Sequence, residues 1–478
     1  MAQRRGRRLR RNIGILGNFA FGYADVAEGI YFTLGLVIIY AGAAATFAYL
    51  LATIAYVLTA ICYAELASLY HQAGGAFVYA RRAFGHNIAF LAAWALLLDY
   101  VVTTAISALA AIGYLGYFIP QLNAPLLIGS ATAAATALLM ILNVFGIAES
   151  AKFSYFLVLF NVAGMATILG TGYLFSFRPG LNTIQFGTSP TYTNFLYAIT
   201  IAMSSYLGIE VISQSAGETR RPAKNIPRAV FLISAATVAA ALSFSTLAVG
   251  VRSVQDFLTN PTSINDPVAF IALALPNGWI LASLASLLGI SVLLVAANAG
   301  IVGASRITYA MSQDGVIPKL FGRLHQKYNT PFISIIVFSS ISVAIAFSGE
   351  LSLAAQLYNF GALLAYVIVG LSLISLRNTD RAMFRPFKAP GSITIKPFWR
   401  RNKSAMPEES YTIPIIGVLS VIADLTIWLL VVILHPLGRE FGSIWMGFGL
   451  LLFFAYTRVR KKQSGSRTPS PVSGEFRE

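Results

Sequence analysis

The sequence predicts an all-α integral membrane protein: twelve transmembrane helices, with helices 1 and 6 broken in the pattern of an inverted repeat. Three observations carry this. Hydrophobic residues make up 57% of the 478 and charged residues only 11%, with a mean hydropathy of +0.71, whereas soluble domains carry about a quarter charged residues. Twelve runs approach the roughly 20 apolar residues that a bilayer core requires of a helix. Two of these runs, five apart in order, contain polar, glycine-bearing stretches near their centres, where irregular backbone is tolerated only beside a cavity.

The first six spans fall at 13–39, 42–66, 88–114, 124–146, 153–176 and 193–216, and the last six at 228–250, 278–304, 331–348, 351–376, 412–434 and 441–457. The chain therefore divides into a basic N-terminus (1–12), the first repeat with span 6 (13–216), the rest of the second repeat (217–376), a basic loop (377–411), spans 11 and 12 (412–457) and a tail (458–478). The tail from Gln463, rich in Ser, Pro and Gly, reads as disordered. The positive head before span 1 has the form of a signal peptide, but the run is too long, carries Asp25 and Glu28, and has no small-residue cleavage motif after it.

In a soluble protein a net charge of +16 and a pI near 9.9 would suggest nucleic acid as a partner. The distribution of the charges says otherwise. Of the 34 Lys and Arg, 31 lie in the N-terminus, the even-numbered loops and the tail, leaving Arg178, Arg252 and Arg439 on the other side and none within a span. By the positive-inside rule both termini are cytoplasmic in a plasma-membrane protein. The basic N-terminus also suits contact with anionic lipid, topology being its plainer role. A single cysteine, Cys62, excludes an intrachain disulfide, and four histidines standing singly leave no metal cluster. No filter-like segment suggests a channel, and no nucleophile with a base suggests an enzyme.

The acids left in the membrane are Asp25 and Glu28 in span 1, Asp99 in span 3, Glu210 in span 6 and Asp424 in span 11. No Lys, Arg or His lies in a span core to pair with them. An ionised acid at mid-bilayer costs roughly 2.5–3.5 kcal/mol even on the lenient scale. Each acid is therefore protonated, hydrogen-bonded by donors, or met by a cation from outside. Burial disfavours the charged form and a bound cation favours it, so such a group can exchange a proton for a cation during a cycle. The alternative is a permanently protonated acid bonded to neighbouring backbone, which suits Asp424, alone in a late span.

Two of these acids mark the expected breaks. Gly22-Tyr-Ala-Asp-Val-Ala-Glu-Gly29 places glycine at both ends of a polar stretch in span 1, and Ser204-Ser-Tyr-Leu-Gly-Ile-Glu210 resembles it in span 6. An odd separation makes the two spans antiparallel, the pattern of an inverted repeat whose discontinuous helices form a midplane site. Packing glycines are the plainer explanation of either stretch alone. In span 3, Asp99, Thr103 and Ser107 stand at i, i+4 and i+8, on one helix face. Such an oxygen stripe suits a small hard cation or an ammonium group, although Thr and Ser in membrane helices also bond back to their own i−4 carbonyls.

The sequence resembles the amino acid-polyamine-organocation (APC) superfamily of secondary transporters. The residues that carry the resemblance are Gly74-Gly-Ala-Phe-Val-Tyr79 with Phe84-Gly85, Asn143 to Lys152, Glu210 to Ala229 with Gly217-Glu-Thr-Arg-Arg-Pro-Ala-Lys-Asn-Ile-Pro227, and Ala297 to Arg306 with Tyr309 to Gly315. The resemblance implies the LeuT-like fold, a five-plus-five inverted repeat with two extra helices, in which spans 1, 2, 6 and 7 rock against a scaffold of spans 3, 4, 8 and 9. Amino acid permeases of this kind commonly carry a Gly-Ser-Gly-like segment in span 1, where this chain has Ala27-Glu28-Gly29-Ile30-Tyr31. Many proton-coupled members have a span 5 lysine in the place of a sodium ion, where this chain has Asn161. Within the superfamily the chain is also similar to proton-coupled potassium importers of the KUP kind. That similarity falls on Asp25, on Asp99, Tyr100, Thr103 and Ser107, on Gly208 and Glu210, and on Tyr358, with Phe32 beside Tyr31 where some relatives have a tyrosine.

The expected function is proton-coupled import of an amino acid or small organic amine, the alternative being potassium–proton symport. The expected substrate residues are Asp25, Ala27, Glu28, Gly29, Thr103, Ser107, Ser204, Ser205, Gly208 and Tyr358; Glu210 carries the coupling proton, with Asp25 and Glu28 as further candidates. For potassium the ligands would be Asp25, Thr103, Ser107 and Tyr358. No cofactor is expected beyond a coupling proton, or sodium in its place. The partners are a small-molecule or cation substrate and the bilayer, not nucleic acid, for a monomer or homodimer.

Overall fold

The computed structural model describes residues 14–71, 74–146, 151–188, 190–214, 216, 219–395 and 411–465. The basic N-terminus, Gly217 and Glu218, part of the 143–152 motif, the middle of the basic loop and the tail beyond Gly465 lie outside the described residues. Mean hydropathy and length make helices of most of the rest. Span 1 is α1 (Ile15–Ala27) and α2 (Gly29–Ala41), and after a 3-10 turn the chain continues as α3 (Ala45–Leu69). There follow α4 (Gly75–Phe84), α5 (His86–Leu115), α6 (Pro125–Val144) and α7 (Ala151–Phe175). The sixth run divides into α8 (Tyr192–Ser204) and α9 (Val211–Gln214).

Next come α10 (Pro222–Val251), three short helices α11 (Val254–Thr259), α12 (Thr262–Asn265) and α13 (Pro267–Ala272), then α14 (Gly278–Gln313) and α15 (Phe332–Phe347). The chain ends with α16 (Leu351–Thr379), the strands β1 (Ser392–Ile395) and β2 (Tyr411–Pro414), α17 (Ile415–Leu434) and α18 (Pro436–Gly465). Among the described residues, nine helical stretches are long and apolar enough to cross a bilayer, the first running from Ile15 to Leu69 across two of the expected spans. The interrupted α8–α9 segment and the 16-residue α15 are too short to stand among them.

The helices pack as two groups. α1, α2, α3, α8 and α10 lie against one another, while α5 packs on α14 and α6 on α15. α16 joins α5 to α17 and α18. Large apolar side chains such as Leu126, Leu174 and Leu451 point outward, where lipid rather than water makes their exposure favourable. Tyrosines are concentrated inside instead: Tyr23, Tyr31, Tyr49, Tyr56, Tyr63, Tyr79, Tyr100, Tyr114, Tyr206, Tyr358 and Tyr366 are all buried.

Three features differ from the sequence expectation. α4 is a helix where a loop was expected, because Phe77, Tyr79 and Ala80 form a buried face beneath exposed Arg81 and Arg82. The basic loop holds an antiparallel hairpin in register Ser392↔Pro414 to Ile395↔Tyr411, anchored by Asn378, whose side-chain amide pairs with Thr412 N and O at 2.8 and 3.1 Å. Its β-branched residues were read for charge and not for alternation. Finally, span 1 lacks the wide interruption expected over Gly22–Gly29: helix continues through Ala27 and resumes at Gly29, and Glu28 between them keeps helical dihedrals of φ −59° and ψ −34°.

Candidate functional site

The two interruptions meet. A methyl group on Gly29 would lie 2.3 Å from Ser205 Cα, so only glycine lets the start of α2 touch the main chain after α8. Gly208 has φ of +106° in the same turn, and a Cβ there would sit 2.6 Å from Asp25 Oδ2. A side chain at that position would meet both backbone strain and a carboxylate. The Thr33 hydroxyl donates to Gly29 O at 2.8 Å and is shared with Tyr49 Oη at 2.7 Å and with Ser205 Oγ, stitching span 1 to the turn.

The junction gathers the acids. Asp99 neighbours Asp25, Glu28 and Glu210, Asp25 neighbours Glu28 and Glu210, and all four are buried, none more than 3% exposed. No ion pair among the described residues reaches any of the four. Glu210 has a donor: Tyr366 Oη gives it a hydrogen bond of 2.6 Å at Oε2. Glu28 has none at either carboxylate oxygen, and Asp99 Oδ1 and Ser107 Oγ are likewise without a partner. Four orphan polar atoms so close to one another are unusual, since buried polar groups are nearly always paired.

The expected site residues divide by what they touch. Asp99, Glu28, Asp25 and Thr103 neighbour Tyr358, whose ring lies 6.3 Å from that of Phe32, and Ser107 neighbours Glu28. Thr103 donates back to Asp99 O at 2.9 Å, the local bond that membrane helices commonly form. Ala27 is buried at the end of α1. Ser204 accepts 2.8 Å from Asn359 Nδ2, which also bonds Thr200 O. Asp424 stands apart from the cluster. It accepts from Thr59 at 2.6 Å and Ser420 at 3.0 Å, side-chain hydroxyls rather than the backbone expected of it.

Sequence reasoning missed Thr33, Asn359 and Tyr366, polar groups without charge that only the packing brings to the junction. It also missed a sixth buried acid. Glu65, in α3, pairs with Arg377 at 2.5 Å and Arg385 at 2.9 Å and accepts from Ala389 N at 2.7 Å. Arg377 itself lies in the last turn of α16 and is 3% exposed, so one basic residue is in fact drawn inside a helix end. Asn161 ties α7 to span 1, donating to Tyr31 Oη at 2.9 Å and accepting from Tyr23 Oη at 3.4 Å.

A family described as amino acid permease matches residues 13–454. The chain belongs to that family. This places it in the APC superfamily and among permeases rather than enzymes. A branched-chain amino acid permease, BcaP, of Bacillus subtilis (strain 168) is 22% identical over 95% of this chain and 94% of its own length. The low-affinity putrescine importer PlaP of Escherichia coli (strain K12) is 29% identical over 81% of this chain and 80% of its own. The human cystine/glutamate transporter is 26% identical over 67% and 64%. These matches lend no support to the second resemblance, to potassium importers.

Proposed function

We propose that the chain imports a small organic amine or amino acid across the plasma membrane by alternating access, coupled to proton entry. In this reading the chain works as twelve spans in a five-plus-five inverted repeat, with α1–α2 and α8–α9 as its two broken helices and both termini in the cytoplasm. The observation that carries it is Glu28, buried beside Asp25 and Asp99 with both carboxylate oxygens unpartnered. A bound ammonium supplies both the missing donors and the missing charge. In this reading the substrate ammonium sits between Glu28 and Ser107, with Asp99 and Tyr358 alongside. Main-chain groups of the turn after α8 and of the Glu28–Gly29 joint take its remaining polar atoms, and Glu210 carries the coupling proton.

The site holds more acid than one ammonium neutralises, and this favours amines of high positive charge over zwitterions. The similarity to a putrescine importer agrees with that preference. Proteoliposomes with an imposed proton gradient, offered labelled putrescine, leucine and rubidium, test it. Putrescine is expected to accumulate, and Glu210→Gln to abolish gradient-driven uptake while retaining exchange. Leucine alone would move the reading to neutral amino acids. Accumulation of rubidium alone, or dependence on sodium in place of the proton, would refute it.

A further inference from the structure

Glu210 is deep in the bundle, and a line of tyrosines leads from it to the end that carries the basic loops. Tyr366 of α16 donates to Glu210 Oε2 at 2.6 Å and accepts from Gly208 N at 3.3 Å. The Tyr63 ring of α3 stands edge-on to Tyr366 at 5.8 Å between centroids and to Tyr79 of α4 at 6.3 Å. Tyr79 in turn lies 6.1 Å from Tyr70, which follows α3. Tyr70 Oη donates to Asp380 Oδ2 at 2.5 Å. Asp380 pairs with Arg82, and its side chain is 17% exposed, so the line ends at the surface.

The hydroxyls in the middle of this line have no packing explanation. Those of Tyr63 and Tyr79 are buried without a hydrogen-bond partner. Leaving a buried hydroxyl unsatisfied costs about 1–3 kcal/mol, and phenylalanine would fill the same space without that cost. Ser213, the polar neighbour of Tyr79, already donates its hydrogen to Glu210 O. The groups facing Glu210 are Asp25 from α1, Asp99 and Tyr100 from α5, Tyr56 and Tyr63 from α3 and Tyr366 from α16. None is a cation. A proton leaving Glu210 therefore meets hydroxyls first, and the cation it meets at the surface end, Arg82, which lies 5.2 Å over the Tyr70 ring, is paired with Asp380.

We infer that Tyr366, Tyr63, Tyr79 and Tyr70, bridged by water at the two free hydroxyls, carry the coupling proton between Glu210 and Asp380. The inference rests on the proton-coupled reading above. In each hop a hydroxyl oxygen accepts one proton and its own passes to the next oxygen, so every tyrosine is neutral before and after. The Glu210 carboxyl loses one proton, and water at Asp380 receives it. Burial works against the charged form of Asp380, but the Arg82 guanidinium and the Tyr70 hydroxyl outweigh it and hold the carboxyl below its usual range. Asp380 thus releases protons rather than storing them.

The test uses the full chain in proteoliposomes that contain a pH-reporting dye, with labelled putrescine and leucine as probes. In Tyr63→Phe/Tyr79→Phe, substrate-evoked proton entry is expected to fall tenfold or more. Counterflow at equal pH, which moves no net proton, should stay within twofold of wild type and so shows that the variant is folded. The single variants should fall between. Wild-type proton coupling with an equally fast double variant would overturn the relay alone. A wild type that transports without moving protons would overturn the coupled reading and the relay with it. Loss of counterflow together with proton entry would assign the two hydroxyls to structure and likewise overturn the relay.

Discussion

Glu65 and Glu28 are both glutamates in apolar helices, both essentially inaccessible, and they are treated in opposite ways. Glu65 has two guanidinium groups and a backbone amide on its two oxygens. Glu28 has no partner on either. A buried carboxylate with its lone pairs satisfied by fixed cations is a fastener, joining α3 to the end of α16 and the segment before β1. One without them is a request for a ligand. The difference teaches that burial of an acid says little about its role until its donors are counted.

The comparison is most easily broken at the fastener. Removing one partner of a buried ion pair leaves an uncompensated charge, so Glu65→Ala, which strips buried Arg377 of its carboxylate, is expected to destabilise the protein by about 3–5 kcal/mol, read as a lowered unfolding temperature in detergent. If unfolding is unchanged, Glu65 is not the fastener described. The same measurement sharpens the other side. Glu28→Gln removes no protein hydrogen bond, and its unfolding should shift by less than about 1 kcal/mol, whereas amine affinity should fall about 100-fold, close to 2.7 kcal/mol. A large stability loss without a change in affinity would make Glu28 structural.

A third buried acid lies between these extremes. Asp266, before α13, has one unpartnered oxygen, and burial pushes its carboxyl up to about 8. An acid whose folded value exceeds its unfolded one favours folding at low pH. Its contribution is present below the unfolded value near 4 and is lost as pH rises toward 8, at no more than about 1.4 kcal/mol per pH unit. Asp266→Asn should flatten the fall in unfolding temperature between pH 5 and 7. An unaltered slope would remove Asp266 from that dependence.

The helices and four of the acids at the junction were legible because hydropathy and isolated charge are properties of single residues and their near neighbours. The meeting of Gly29 with Ser205 was legible only as two similar stretches, since close approach of main chains leaves no mark beyond a missing side chain. Tyr366, Asn359 and Thr33 were hidden because an uncharged polar residue in a membrane helix has many ordinary uses. Glu65 was passed over at the end of its span, and its partner Arg377 was counted with the loop; helix ends are where boundaries read from sequence are least certain. The hairpin was hidden by the charges around it.

Where Gly29 meets Ser205, α2 and the turn after α8 approach main chain to main chain, with no side chain of position 29 interposed. The spacing across that joint is therefore set by van der Waals contact between main-chain atoms, which does not change when rotamers do. A guest in the junction is measured against a gauge of main-chain contacts. Discrimination among guests of similar charge then depends on their length and shape, held constant through whatever swings of the surrounding helices admit and release them.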